Sequence, residues 1–331
     1  MIPASHRPAR SIMVLYTGGT IGMQASANGL TPASGFEQRM RAQLSGQGDL
    51  AAWRFREMAP LIDSANMTPQ YWQRLRAAII EAVDAGCDAV LVLHGTDTLA
   101  YSAAALSFQL LGLDTPVLFT GSMLPAGVEQ SDAWENLTGA LQALSDGIAS
   151  GVQLYFHGEL LPPHRTAKIR SFGRHPFVAL KRNGIAAPAS PLPAALDYRQ
   201  PKQLANVAVL PLVPGFSADA LRAMLNTGVG GLILECFGSG TGPGDNPDFI
   251  AALNEARASG VVVVAITQCQ EGGVELDIYE AGSRLRQAGV LSGGGMTREA
   301  AFGKLQLLLG CGLDVEEVRR LVEVDLTGEL R

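Results

Sequence analysis

Residues 88–111 read "DAVLVLHGTDTLAYSAAALSFQLL". The run from Ala89 to Leu93 is short and carries no polar residue, which predicts a strand buried on both faces. "HGTDT" (94–98) breaks the run, and the stretch after it reads as a helix, with Asp97 available as its N-cap. Working outward, comparable apolar runs stand at "SIMVLYT" (11–17), "PVLFTG" (116–121), "VQLYFHG" (152–158), "VAVLPL" (207–212), "GLILECFG" (231–238) and "VVVVAITQ" (261–268). Between them lie helical patterns. In residues 69–85, Trp72, Leu75, Ile79 and Ala82 or Val83 recur at helical spacing, Thr68 can cap, Pro69 suits the first turn and Gly86 closes it. Strand and helix in such alternation predict right-handed crossovers and mainly parallel sheets flanked by helices.

Length sets the number of domains. The 331 residues exceed one ordinary domain, so two α/β domains are expected. The periodicity stops in "AAPASPLPAALDYRQPKQLAN" (186–206), which carries four prolines. The expected division is a larger N-terminal domain over 1–187, a linker over 188–206 and a smaller C-terminal domain over 207–331, ending in helices near 297–310 and 315–324.

Composition narrows the function. A net charge of −6, without long runs of one sign, argues against a nucleic-acid or anionic-membrane surface. No apolar run reaches the roughly 20 residues of a bilayer span, and the start reads as neither signal peptide nor anchor. The four cysteines stand far apart without a CxxC pair, so reduced thiols in a cytoplasmic protein are expected, with no metal and no cofactor. Small-molecule chemistry is what remains.

In open parallel sheets that chemistry sits in the loops beyond the carboxyl ends of the strands. Here those loops are "TGGT" (17–20), "DSANMTP" (63–69), "HGTDT" and "TGSMLP" (120–125). They are rich in hydroxyls and small residues. "TGGT" lacks the spacing of a phosphate loop. Its paired glycines allow a sharp turn that presents the Thr20 hydroxyl and nearby backbone N–H groups to a pocket. A threonine needs a proton acceptor, and "HGTDT" offers Thr96 and Asp97. The chain has only four lysines against 21 arginines. Lys168, in the Arg-rich "HRTAKIRSFGR" (164–174), is therefore a candidate base, because lysine alone of the two can lose its proton when desolvated.

"TGGTIG", "HGTDTLAYSAAALSF", "FTGSMLP" and "HRTAKIRSFG" together resemble the bacterial asparaginase family, its type I cytoplasmic branch in particular. "SDAWENL" (131–137), "GVVVVAITQC" (260–269), "GMTREAAFGKL" (295–305) and "LTGEL" (326–330) follow in the same order, so the resemblance covers essentially the whole chain. It implies hydrolysis of L-asparagine to L-aspartate and ammonia through an acyl-threonine. Thr20 matches the nucleophile; Thr96, Asp97 and Lys168 match the second triad; Ser64 matches the holder of the substrate α-carboxylate, with Asp97 facing its ammonium. Gly19 and Asp63 flank these positions and join the expected substrate-binding set. The resemblance further implies a homodimer or homotetramer, and one methylene separates asparagine from glutamine, so some glutaminase activity is expected.

Three positions depart from the family pattern. Leu30 in "ANGLTP" (27–32) stands where many members carry a lid tyrosine, Ala65 replaces a polar neighbour of Ser64, and "CFGSGTGPGDN" (236–246) differs from the usual asparagine-bearing version of the loop. The alternative reading is a catalytically weak sensor of amino acids.

Overall fold

The computed structural model describes residues 8–27, 29–46, 50–182 and 191–330. The chain divides into two units, Met1–Ala179 and Leu180–Arg331.

In the first unit the strands are β1 (Ser11–Gly18), β2 (Gln24–Ser26), β3 (Gly29–Thr31), β4 (Ala52–Ile62), β5 (Ala89–Leu93), β6 (Pro116–Thr120), β7 (Gly151–Phe156), β8 (Glu159–Leu161), β9 (Thr166–Lys168) and β10 (Phe177–Ala179). Its helices are α1 (Phe36–Leu44), α2 (Pro69–Asp84), α3 (Leu99–Gln109) and α4 (Ala133–Asp146). Six strands form one sheet in the order β4-β1-β5-β6-β7-β8, parallel except for the β7–β8 hairpin. Two small hairpins, β2–β3 and β9–β10, stand apart from it. Every residue of β5 is buried, which requires cover on both faces. β7, near the sheet's end, instead alternates buried and half-buried positions. One core gathers Ile12, Val14 and Tyr16 of β1 with Phe36 and Met40 of α1 and Leu137 and Leu141 of α4.

Local chemistry sets the helix ends. Thr68 accepts the Tyr71 N–H at the start of α2, Pro69 fills the first turn, and Gly86 ends the helix at φ +81°, the left-handed cap that favours glycine. Of the two residues open at the fourth apolar position, Ala82 is the buried one.

In the second unit β11 (Val207–Pro211), β12 (Gly231–Cys236), β13 (Val262–Thr267) and β14 (Leu291–Ser292) pair in that order, all parallel. The helices are α5 (Ala218–Leu225), α6 (Pro247–Ala258), α7 (Glu280–Gln287), α8 (Arg298–Gly310) and α9 (Val315–Val322). β12 and β13 are wholly buried, whereas β11, on the edge, is half-exposed. Lys181 and Arg182, read from the sequence with the first domain, belong to this second unit, where Arg182 bridges Gly272 and the Gly272 N–H donates to the Lys181 carbonyl. Of the segment expected as a linker, residues 188–190 lie outside the described residues, and 191–206 hold one short 3-10 turn, Ala194–Leu196. No helix among the described residues is long and apolar enough to cross a membrane.

Candidate active site

The neighbours β4, β1, β5 and β6 deliver four loops to one edge of the first sheet. Thr20 follows β1, Ser64 follows β4, Thr96 follows β5 and Ser122 follows β6. Two glycines let these loops touch through their backbones. Gly19, at φ +78°, lies so close to Gly95 that a Cβ on it would collide with the Gly95 Cα and N. A Cβ on Gly95 would lie 2.5 Å from the Ser64 Oγ and 3.1 Å from the Gly19 Cα. The residue after Gly19 is Thr20 and the residue after Gly95 is Thr96, so two motifs 76 positions apart put their threonines on either side of one backbone contact. Only glycine permits that approach.

Lys168 reaches the same place from β9. Its Nζ donates to the Thr96 Oγ1 at 2.9 Å and meets the Asp97 Oδ1 at 2.6 Å. Thr96 is 5% exposed, the Lys168 side chain 16% and the Asp97 side chain 62%. The ammonium thus sits between a buried hydroxyl and a carboxylate open to water. Asp97 does not cap α3. Thr98 holds the cap position without a side-chain cap bond, and its Oγ1 donates to the Ser64 carbonyl at 2.8 Å, tying the second loop to the third.

Thr20 is half-buried in a 3-10 turn, and its hydroxyl meets no hydrogen-bond partner among the described residues. Ser64 is buried at the start of another such turn, and the Asp63 carboxylate caps that turn by accepting the Ala65 N–H at 3.1 Å. Asp63 therefore shapes the loop through which Ser64 is presented. Neither the Thr20 nor the Thr96 backbone N–H finds an acceptor among the described residues. Also among the described residues, no group of three or more His, Cys, Asp or Glu is arranged to hold a metal ion.

Residues 11–190 match the family described as "Asparaginase, N-terminal", and residues 206–322 match "Glutaminase/Asparaginase C-terminal domain". The chain belongs to the asparaginase family. This asparaginase-family chain is 38% identical to L-asparaginase 1 of Escherichia coli strain K12, over 97% of its own length and 98% of that protein. Among solved structures it is similar to the thermostable L-asparaginase from Thermococcus kodakarensis, with a TM-score of 0.84 and 32% identity over 97% of this chain and 99% of that one. It is likewise similar to L-asparaginase I from Vibrio cholerae, with a TM-score of 0.83 and 34% identity over 97% and 99%.

Several asparaginase-motif residues carry roles that the sequence reading left unassigned. In "SDAWENL" the buried Asp132 accepts the backbone N–H groups of Met123 and Leu124 at 2.9–3.1 Å, and Asn136 donates to the Gly121 carbonyl at 3.0 Å. These bonds hold the fourth loop, where the Ser122 hydroxyl turns back to the Leu124 carbonyl. Two carboxyl or amide side chains four residues apart, just after a strand-end loop, are the signal that points to such a clamp.

Tyr16 lies in the core. It stacks on Phe36 with ring centroids 5.3 Å apart, donates its hydroxyl to the Ala33 carbonyl, and burial pushes the phenol up to about 12. It underlies the Gly22 backbone as a structural pillar and stays protonated. Leu30, at the position of the lid tyrosine, pairs with Ala25 in the β2–β3 hairpin and is 53% exposed. In the loop 236–246 of the second unit, Asn246 is spent on capping α6 through the Asp248 and Phe249 N–H groups.

Proposed function

We propose that this protein hydrolyses L-asparagine to L-aspartate and ammonia. Thr20 is the nucleophile: its Oγ bonds to the side-chain amide carbon, the tetrahedral oxyanion collapses, ammonia leaves carrying the transferred proton, and water cleaves the resulting acyl-threonine. Lys168 and Asp97 tune Thr96 as a proton acceptor. The unsatisfied N–H groups of Thr20 and Thr96 are suited to the oxyanion, since donors fixed in advance stabilise charge as it develops. Ser64 holds the substrate α-carboxylate, Asp97 meets its ammonium, and Gly19 and Asp63 complete the substrate-binding set by shaping the loops that present Thr20 and Ser64. One observation carries the reading: a lysine from β9 satisfies the hydroxyl of Thr96 and the carboxylate of Asp97 at once, an arrangement that has no structural purpose in capping α3.

A methylene distinguishes glutamine from asparagine and is worth about 1–3 kcal/mol in an apolar pocket, so glutamine is hydrolysed as a slower substrate. Leu30 favours a second reading, because no phenol stands at that position: a protein that binds asparagine with little turnover. Ammonia release from L-asparagine, D-asparagine and L-glutamine separates the two. Turnover of L-asparagine that disappears in Thr20→Ala while the melting temperature holds is the expected result. Full activity in that variant ends the assignment of the nucleophile, and no turnover of any substrate leaves the sensor. The protein acts in the cytoplasm as a homodimer or homotetramer, which light scattering on the purified chain measures directly.

A further inference from the structure

His94 opens the motif "HGTDT" and is fully buried at the end of β5. Its Nδ1 lies 2.7 Å from the Gly95 carbonyl oxygen. That oxygen can only accept, so Nδ1 carries the proton. Nε2 is then a bare lone pair, and it is buried without a hydrogen-bond partner among the described residues. Burial holds the imidazole down at about 4 against the pull of the Gly95 carbonyl, so it is neutral at physiological pH. The backbone that carries the ring is firmly placed. The His94 N–H donates to the Thr120 carbonyl at 2.9 Å, the Phe119 ring centroid lies 6.1 Å from that of the imidazole, and a Cβ on Gly121 would lie only 2.2 Å from the His94 carbonyl oxygen.

Such a residue is expensive for packing alone, because a buried polar atom without a partner is destabilising and an apolar side chain would avoid it. Its one side-chain bond goes to the Gly95 carbonyl, at the point where the strand-end loops meet. Gly95 has no side chain to anchor it, and glycine's backbone is the freest of any residue. The Gly95 carbonyl belongs to the peptide it shares with Thr96. That peptide is trans, so the Thr96 N–H points opposite to the carbonyl that the imidazole holds.

We propose that His94 is a positioning residue, which aims the Thr96 backbone N–H into the site by fixing the Gly95 carbonyl. The inference rests on the amidohydrolase reading above, in which that N–H faces the developing oxyanion. A strand-end glycine is needed for loop contact, and the imidazole restores the rigidity that glycine removes.

The test compares His94→Asn and His94→Leu by steady-state ammonia release from L-asparagine, with thermal melts of each. An Asn side-chain amide can donate from nearly the place of Nδ1, whereas Leu fills space and donates nothing. The expected result is a kcat near that of the unchanged protein for His94→Asn and a loss of about 10²-fold for folded His94→Leu with little change in KM, the scale set by a small misplacement of a reacting group. Equal kcat values for the two folded variants, high or low, overturn the proposal. Should His94→Leu not fold, the tautomer decides: nitrogen-15 spectra of histidine-labelled protein are expected to show the His94 proton on Nδ1, and a proton on Nε2 overturns it. Thr96→Val reports separately on the reading beneath, since full turnover there removes Thr96 from the mechanism whatever His94 does.

Discussion

Two of the four lysines, Lys168 and Lys304, face opposite problems. Lys168 reaches a strand-end loop and meets one hydroxyl and one carboxylate that is itself mostly in water. Lys304, on α8 of the second unit, is wholly buried and donates to the Val322 carbonyl at 2.7 Å, the Val324 carbonyl at 2.6 Å and the Glu329 carboxylate at 2.7 Å. Burial pushes the Lys304 ammonium down, while Glu329 opposes that shift. Glu329 in turn is desolvated, yet Lys304 and the Leu326 and Thr327 N–H groups hold it down at about 2. All three protons of Lys304 are committed, and it ties the chain's end to α8. Rarity of lysine in an arginine-rich chain therefore marks special use without saying which. What distinguishes a candidate base from a structural bolt is whether the acceptors around it leave room for a substrate.

The largest effect that would break this comparison is on rate. Lys168→Met is expected to lower kcat for L-asparagine by about 10²- to 10⁴-fold, the range for loss of a proton-transfer group. A mild effect removes Lys168 from the mechanism and leaves it a structural partner of Thr96 and Asp97. Lys304→Met should act on stability instead. Removing one partner of a buried pair leaves an uncompensated charge and costs about 3–5 kcal/mol, read as a lower urea midpoint with turnover per folded molecule unchanged. A loss of rate at full stability would erase the distinction.

Acid sharpens it further. The imidazole of His94 titrates at about 4 in the folded chain and near 6.5 when unfolded, so the unfolded state binds the extra proton between those values. Stability from this group is complete above pH 6.5 and declines as pH falls toward 4, by up to about 3 kcal/mol. Glu329, depressed to about 2, adds its own loss below the ordinary carboxylate range. Urea titrations at pH 7 and pH 4.5 should show the first slope, which His94→Asn removes. The smallest effect belongs to Asp97→Asn, which is expected to move stability by no more than about 0.5 kcal/mol, since its carboxylate is largely in water. A larger shift in melting would make the Lys168 pair structural.

Pattern made the two-domain α/β architecture legible. Ala89–Leu93 and Val262–Thr267 are apolar at every position because both faces are covered, and Thr68, Pro69 and Gly86 each mark a helix end by a local rule. The strand-end loops carry the residues on which the proposed chemistry rests. One local reading went differently. Asp97 was available as a cap and turned to Lys168, because a cation from β9 is a stronger partner than a helix start.

By itself the sequence determined the buried strands, the capped helix after Thr68 and which loops carry hydroxyls, since hydrophobic period and capping act over a few residues. Only the tertiary structure decided that Gly19 meets Gly95, that Lys168 faces Thr96 across 72 positions, and that His94 spends its one donor on the next residue's carbonyl. Those contacts depend on sheet order and on space left by absent side chains. Neither is written in any local stretch of the chain.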